Sequence, residues 1–318
     1  MIVRLLRFLR RYGTAVIAAG LFVGLAFAPM AALLRPLLWL FVFLLTVASF
    51  LAIEWPAVIA HARRPALMVL LPAWLLLASP VLAAALARVG GSATPLTQAL
   101  VLWAASAPMV SSPAVAMLLG LDGALALITM ISGTFLMPFI LPPLVLGLIG
   151  LDLGIGVLAL MERLALFIGS AALIAAGLRR FAGPRRIERN AAEIGGFNVL
   201  LLFLFAAAAM DGVGDLILAS PAAVLLYAAS AFVGNVGLQA VGFLISWRLG
   251  RVPALTIGLV SGNRNMAVVL ANLGSAATPE IALFFAAAQF PIYMLPAALA
   301  PIYRLLGIAV PGGAAQAK

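Results

Sequence analysis

Ala254-Leu-Thr-Ile-Gly258-Leu-Val-Ser261-Gly262-Asn263-Arg264-Asn265-Met266-Ala-Val-Val-Leu-Ala-Asn-Leu273 is a hydrophobic stretch of membrane-spanning length with an arginine at its centre. Arg264 is roughly ten residues from either end, or ~15 Å at ~1.5 Å per residue. A side chain at that depth cannot easily snorkel to water. A charge there is costly and marks a functional site by default. Glycine and polar residues flank it, from Gly258 to Asn265. That pattern reads as a helix broken at mid-membrane, the device with which secondary transporters build substrate and ion sites.

The rest of the chain places this stretch among many like it. Of 318 residues, 66% are hydrophobic and only 9% charged, with a mean hydropathy of +1.24. A soluble domain cannot hide so much apolar surface, so the expectation is an integral membrane protein in contact with the bilayer. The apolar runs are continuous rather than alternating, which selects helices over barrel strands. The net charge of +10 is spread as arginines in short loops between apolar runs, which argues against nucleic acid as a partner. There is no cysteine, which excludes disulfides, thiolate metal sites and thiol catalysis. The single histidine, His61, sits in a short basic loop and reads as a loop residue, not a metal ligand. Arg4, Arg7, Arg10 and Arg11 before the first apolar run resemble a signal sequence, and are read here as an uncleaved signal-anchor.

Ten spans of about 20 residues are expected. They are Thr14–Met30, Pro36–Ile53, Ala66–Leu86, Leu96–Leu119, Ala124–Ile149, Met161–Leu178, Ala191–Met210, Pro221–Trp247, Ala254–Leu273 and Ile281–Leu306. With the N-terminus in the cytoplasm, Arg35, Arg88 and Arg163 fall outside, Arg264 lies within the membrane and every other basic residue falls inside. That asymmetry obeys the positive-inside rule and returns the C-terminus to the cytoplasm. The expected location is a bacterial inner membrane. Spans one to five (1–150) and six to ten (151–318) are odd-numbered halves, so they have opposite orientation, the geometry of an inverted repeat. The connector 150–163, with Asp152, Glu162 and Arg163, reads as a surface segment without a site. The fourth span of each half is interrupted. The first carries Ser106-Ala-Pro108-Met-Val-Ser111-Ser112-Pro113, the second Ser261-Gly-Asn-Arg-Asn265. Two interruptions at corresponding positions point to a midplane site.

On these residues, with Gly120-Leu-Asp122-Gly-Ala-Leu-Ala-Leu and Pro138-Phe-Ile-Leu-Pro142, the chain resembles the bile acid:sodium symporter superfamily. The resemblance implies ten spans as two inverted repeats, with unwound fourth and ninth spans crossing in a core of spans 3–5 and 8–10. A panel of spans 1, 2, 6 and 7 then packs beside the core. It also implies sodium as coupling ion, but the family's Glu-x-Gly-x-Gln-Asn reads here Val260-Ser-Gly262-Asn263-Arg264-Asn265. The glutamate has become Val260 and the glutamine Arg264, while Pro113 and Ala114 stand where the fourth span often has Ser-Asn. Both sodium sites have lost side-chain oxygens, which argues against sodium coupling.

Broken helices turn carbonyl-rich C-terminal ends to the midplane, where a cation is favoured. Arg264 reads as a built-in cation there, with no Asp or Glu deep in any span; Glu54, Glu193 and Asp211 lie near span ends. Two readings stand. In one, Arg264 with Asn263 and Asn265 clamps an organic anion through paired hydrogen bonds. In the other it only ties helix ends together. Ser111 and Ser112 flank the first break, and Thr129, Ser132 and Thr134 follow it. Asn235 and Gln239 share a helical face, as do Gln289 and Tyr293. These residues are candidates for lining a substrate cavity, the alternative being hydrogen bonds between helices.

The function expected is a secondary transporter for a small organic anion working by alternating access. Its coupling is to protons, to a reduced sodium site, or to nothing. A transport-inactive sensor or partner subunit with the same fold ranks second. The chain does not read as an enzyme, because it carries no paired acids, serine–base pair or metalloprotease motif.

Overall fold

The structure, a computed structural model, describes residues 2–51, 53, 65–89, 94–148, 154–305 and 308. Glu54, His61 and the basic loop around it, residues 150–153 of the connector and Lys318 lie outside the described residues. Among those described, all regular structure is helical apart from one isolated two-residue bridge. The helices are α1 (Ile2–Arg11), α2 (Gly13–Ala26), α3 (Ala28–Leu34), α4 (Leu38–Leu51), α5 (Pro65–Pro72), α6 (Ser79–Val89), α7 (Pro95–Ala105), α8 (Ser112–Leu118) and α9 (Gly123–Pro142). They continue with α10 (Val157–Ala182), α11 (Pro184–Arg189), α12 (Ala191–Ala208), α13 (Val213–Ala219), α14 (Pro221–Ser246), α15 (Arg251–Gly262), α16 (Met266–Leu273) and α17 (Pro279–Leu305).

Among the described residues, seven helical runs are long and apolar enough to cross a membrane: Ala28–Leu51, Leu67–Leu86, Gly123–Gly147, Val157–Ala182, Ala191–Ala219, Pro221–Leu249 and Pro279–Tyr303. Large apolar side chains such as Leu173, Val233 and Leu225 point outward from them. The chain is therefore an all-helical, multi-pass membrane protein. The remaining three stretches read as spans are not continuous helices. Thr14–Met30 falls mainly on α2, which meets α1 at a bend of 94°. Leu96–Leu119 divides into α7 and α8, and Ala254–Leu273 into α15 and α16.

Two boundaries differ from the sequence reading, both for reasons of backbone chemistry. The first break falls at Phe27, not near Arg35, because Pro29 would clash with the Leu25 carbonyl in a continuous helix. Pro36 instead sits early in a tight turn, Arg35–Leu37, where its missing N–H is not needed, and the helix carries on into α4. The second is the connector: α10 begins at Val157, four residues before the expected Met161, so the charged end of the connector, Glu162 and Arg163, lies more than a turn inside the helix.

The helices pack in two groups. α1, α2, α3 and α4 line up along α12, and α4 also packs on α10. α14 packs along α15 and α17, α7 along α6 and α17, and α9 against α5, α8 and α15. α10 and α16 carry much of the contact between the groups, α10 meeting α9 and α16, and α16 meeting α4. Ion pairs mark the two ends of the α12 run, Arg7–Glu193 at 2.7 Å and Arg35–Asp211 at 2.7 Å. Arg179 closes the end of α4, donating to the carbonyls of Leu51 (3.2 Å) and Ile53 (2.8 Å). Asp122 caps α9 through its side chain, and its own N–H donates to Thr256 Oγ1 on α15 at 3.0 Å. That bond links the start of α9 to α15 near the site.

Candidate functional site

α7 ends at Ala105 because Ser106 turns to extended geometry (ψ 153°) and Pro108 cannot continue a helix. α15 ends at Gly262, where Asn263 is likewise extended (ψ 94°). The two non-helical segments cross as an antiparallel bridge, with Pro108 opposite Arg264. Met109 N–H donates to Asn263 O at 2.8 Å and Asn265 N–H to Ala107 O at 2.7 Å. These bonds come from the residues flanking Pro108, so its missing N–H leaves no gap in the pair. Four backbone groups freed by two broken helices thus satisfy one another in a region without water. Gly133 on α9 lets the crossing sit close, since a Cβ there would lie 2.8 Å from Pro108 Cδ.

The Arg264 side chain is 1% exposed and points back among helix ends. Nε donates to Ser261 O at 2.7 Å, Nη1 to Leu75 O at 2.9 Å and Ser106 O at 3.1 Å, and Nη2 to Ser79 Oγ at 2.8 Å. Of the five guanidinium N–H groups, these bonds use all but one. Ser106 and Ser261 lie at the C-terminal ends of α7 and α15, where the helix dipole is negative. Each carbonyl is free for a reason visible in the chain. Asn265 N–H, which would ordinarily serve Ser261 O, is drawn to Ala107 O. Between α5 and α6 the helix widens to a π turn over Ala73–Ala78, in which Ser79 N–H bonds Trp74 O. The next donor in that register would come from residue 80, which is proline. Leu75 O therefore has no backbone donor and turns to Arg264 and to Ser79 Oγ (2.9 Å). No carboxylate takes part.

Around this centre, the other expected residues separate. Asn235, Gln239 and Asn263 come together: Asn235 Nδ2 donates to Gly262 O (2.8 Å) and Asn263 Oδ1 (3.2 Å), and Gln239 Nε2 to Asn235 Oδ1 (2.6 Å). This chain of amides joins α14 to the end of α15. Asn265 contributes its backbone to the crossing, and its side chain is half-buried. Ser112 is buried with its hydroxyl unpartnered among the described residues, whereas Ser111 is half-buried. Gln289 bonds the Phe285 carbonyl of its own helix (3.0 Å) and does not join the Arg264 cluster. Thr129 and Thr134 likewise bond carbonyls four residues back, and Ser132 bonds Thr129 O. Val260 packs in an apolar cluster with Ala116 and Leu259, while Pro113 is half-buried and Ala114 exposed.

Trp74 and Ser79 were not foreseen. Trp74 Nε1 donates to Ser261 Oγ at 2.8 Å, bracing the carbonyl end that holds Arg264. Trp74→Phe is expected to lower stability by ~1 kcal/mol, the worth of one hydrogen bond, since Ser261 Oγ keeps its bond to Ile257 O. Melting in detergent checks this.

A hollow of about 380 Å³ opens between the two helix groups, lined by Trp39, Arg163, Phe167, Ser170, Asn272 and their neighbours. One wall is aromatic: Trp39 stacks on Phe43 (5.2 Å between ring centroids), and Phe167 meets both rings edge-on. Arg163 is exposed at its rim, and among the described residues its side chain has one hydrogen bond, to Asn272 O at 3.4 Å. The sequence reading gave this arginine no role.

No protein-family model and no curated protein matches the chain.

Proposed function

We propose that this chain is a secondary transporter for a small organic anion, in which the Arg264 guanidinium stands where a coupled cation would otherwise sit. The observation that carries the reading is the crossing of two interrupted helices, whose C-terminal carbonyls converge on Arg264. Converging helix ends of this polarity favour a cation, and here the cation is covalently part of the chain. On this reading the protein has ten spans in two inverted halves, three of them bent or broken. The α5–α9 and α14–α17 group is the core that moves against the α1–α4, α10 and α12 panel. Transport then needs no sodium.

With most of its donors bonded within the protein, Arg264 serves as the tie and charge of the core, and the anion takes Arg163. The hollow beside Arg163 has a volume within the range of small-molecule sites. Its aromatic wall suits a substrate with an apolar body and a carboxylate or sulfonate head.

The test is thermal stability of the purified protein in detergent, in potassium or sodium buffer, with a panel of small carboxylates and sulfonates. A ligand at 100 times its Kd adds ~2.7 kcal/mol to apparent stability. An effective anion is expected to stabilise equally in both buffers. Arg163→Gln should abolish that shift without altering the unliganded protein, because the side chain is exposed. A shift that requires sodium would refute the resident-cation reading. A shift that survives Arg163→Gln would refute the placement of the anion, and no shift across the panel would count against the carrier itself.

A further inference from the structure

α10 ends at Ala182, where Gly183 turns the chain at φ +80°, a conformation that strains any residue with a side chain. The short α11 that follows closes a hollow of about 600 Å³, lined by Ala182, Gly183, Pro184, Arg185, Arg186 and Arg189. Three guanidinium groups share one concavity. All three are exposed, and none makes a side-chain hydrogen bond or ion pair with any described residue. The contrast with Arg179, four residues before Gly183, is direct: that arginine is bound to two carbonyls of the α4 end. The sole acid of this segment, Glu188, is also exposed and pairs with none of them. Among the described residues these charges have no counter-ion, and like charges gathered in this way repel one another, which favours an anion from outside.

The surroundings say which anion. Phe181, 90% exposed, directly precedes the lining residue Ala182, and exposed Leu178 lies one turn further back on α10, a helix apolar enough to cross the membrane. Such side chains belong against lipid, which puts the arginines at headgroup level. A soluble phosphate has no use for an exposed phenyl ring, whereas a lipid presents an acyl chain to Phe181 and a phosphodiester to the guanidinium groups. We propose that this hollow binds the headgroup of an anionic phospholipid. The site is independent of the transport reading.

The probe is phosphatidylglycerol added to protein in neutral detergent, with lipid retention read by native mass spectrometry and stability by melting. Phosphatidylcholine and glycerol 3-phosphate serve as comparison ligands. The structure leads us to expect that phosphatidylglycerol is retained and raises the melting temperature, and that the two comparison ligands do neither. Each arginine at a headgroup surface is worth about fivefold in affinity. Arg185→Gln/Arg189→Gln should therefore weaken retention about 25-fold. Neither residue supports the fold, so the variant should melt like the parent in lipid-free detergent. Arg4→Gln/Arg248→Gln removes the same charge elsewhere and should leave retention unchanged. Equal loss in both double variants would mean diffuse attraction and overturn the site, and equal stabilisation by glycerol 3-phosphate would overturn the lipid.

Discussion

Arg264→Ala is expected to cost ~4 kcal/mol or more, and to leave little monodisperse protein after extraction. The cost begins with the acceptors. Ser106 O and Ser261 O have Arg264 as their side-chain donor, and both sit where water does not reach. A buried polar group stripped of its partner costs ~1–3 kcal/mol. Leu75 O keeps a bond to Ser79 Oγ, but Ser79 Oγ loses the donor it accepts from. A void the size of most of an arginine side chain adds to this. The positive charge also holds two negative helix ends together, and without it they repel. Arg264→Lys is the informative companion. An ammonium keeps the charge and three donors, but all three sit at one point on a longer stem. The Nε bond to Ser261 O, three residues back along the same turn, has no counterpart in lysine. Arg264→Lys should fold with intermediate stability, and should still respond to an anion that binds at Arg163. An alanine variant as stable as the parent would end the tie reading. A folded lysine variant blind to every anion would return Arg264 to the role of anion clamp.

Some of this could be read before the structure, and the boundary has a physical cause. The long apolar runs are legible because hydrophobicity is carried residue by residue, and among the described residues seven of them stand as helical runs long enough to cross a membrane. The interruptions at Ser106–Pro113 and Ser261–Asn265 are legible because proline, glycine and polar residues mark them. That Arg264 would meet carbonyls was also legible, from helix polarity. Which carbonyls was not. Every residue owns one, so Leu75 carries no mark of its role in its side chain. The one available signal lay downstream, where proline at residue 80 withholds a donor and the π turn diverts another. Arg163 was missed for a different reason. Asp152, Glu162 and Arg163 make the start of this helix resemble a surface segment, and nothing in the sequence marks Arg163 as facing a crevice. Gln289 shows the converse limit: a polar residue deep in a span resembles a cavity residue, yet its amide N–H donates to a carbonyl of its own helix.

Gly262→Ala is expected to have the second largest effect, although it adds one methyl group. Gly258 and Gly262 are four residues apart and present one face of α15 to α14, the small-residue spacing that lets membrane helices approach closely. A Cβ at Gly262 would lie 2.5 Å from Asn235 O and 2.5 Å from Gln239 Cγ; at Gly258 it would lie 2.7 Å from Gln239 O. Two of these obstacles are backbone oxygens, which cannot rotate away, so the helices must separate. Overpacking of this kind costs ~1–3 kcal/mol. Separation also stretches the Asn235 bond to Gly262 O, now 2.8 Å, and so loosens the amide chain that fixes the end of α15. Ser261 O, the acceptor of Arg264 Nε, is the next carbonyl back, so the damage reaches the crossing itself. Gly237→Ala is the control on the facing helix. A Cβ there meets nothing within 4 Å, and alanine is favoured over glycine in a helix by ~0.5–1 kcal/mol. Melting in detergent should thus move in opposite directions for two chemically identical substitutions, down for Gly262 and level or up for Gly237. If both fell alike, the loss would come from generic intolerance of the bundle, and the close approach of α14 and α15 would not be what positions Arg264.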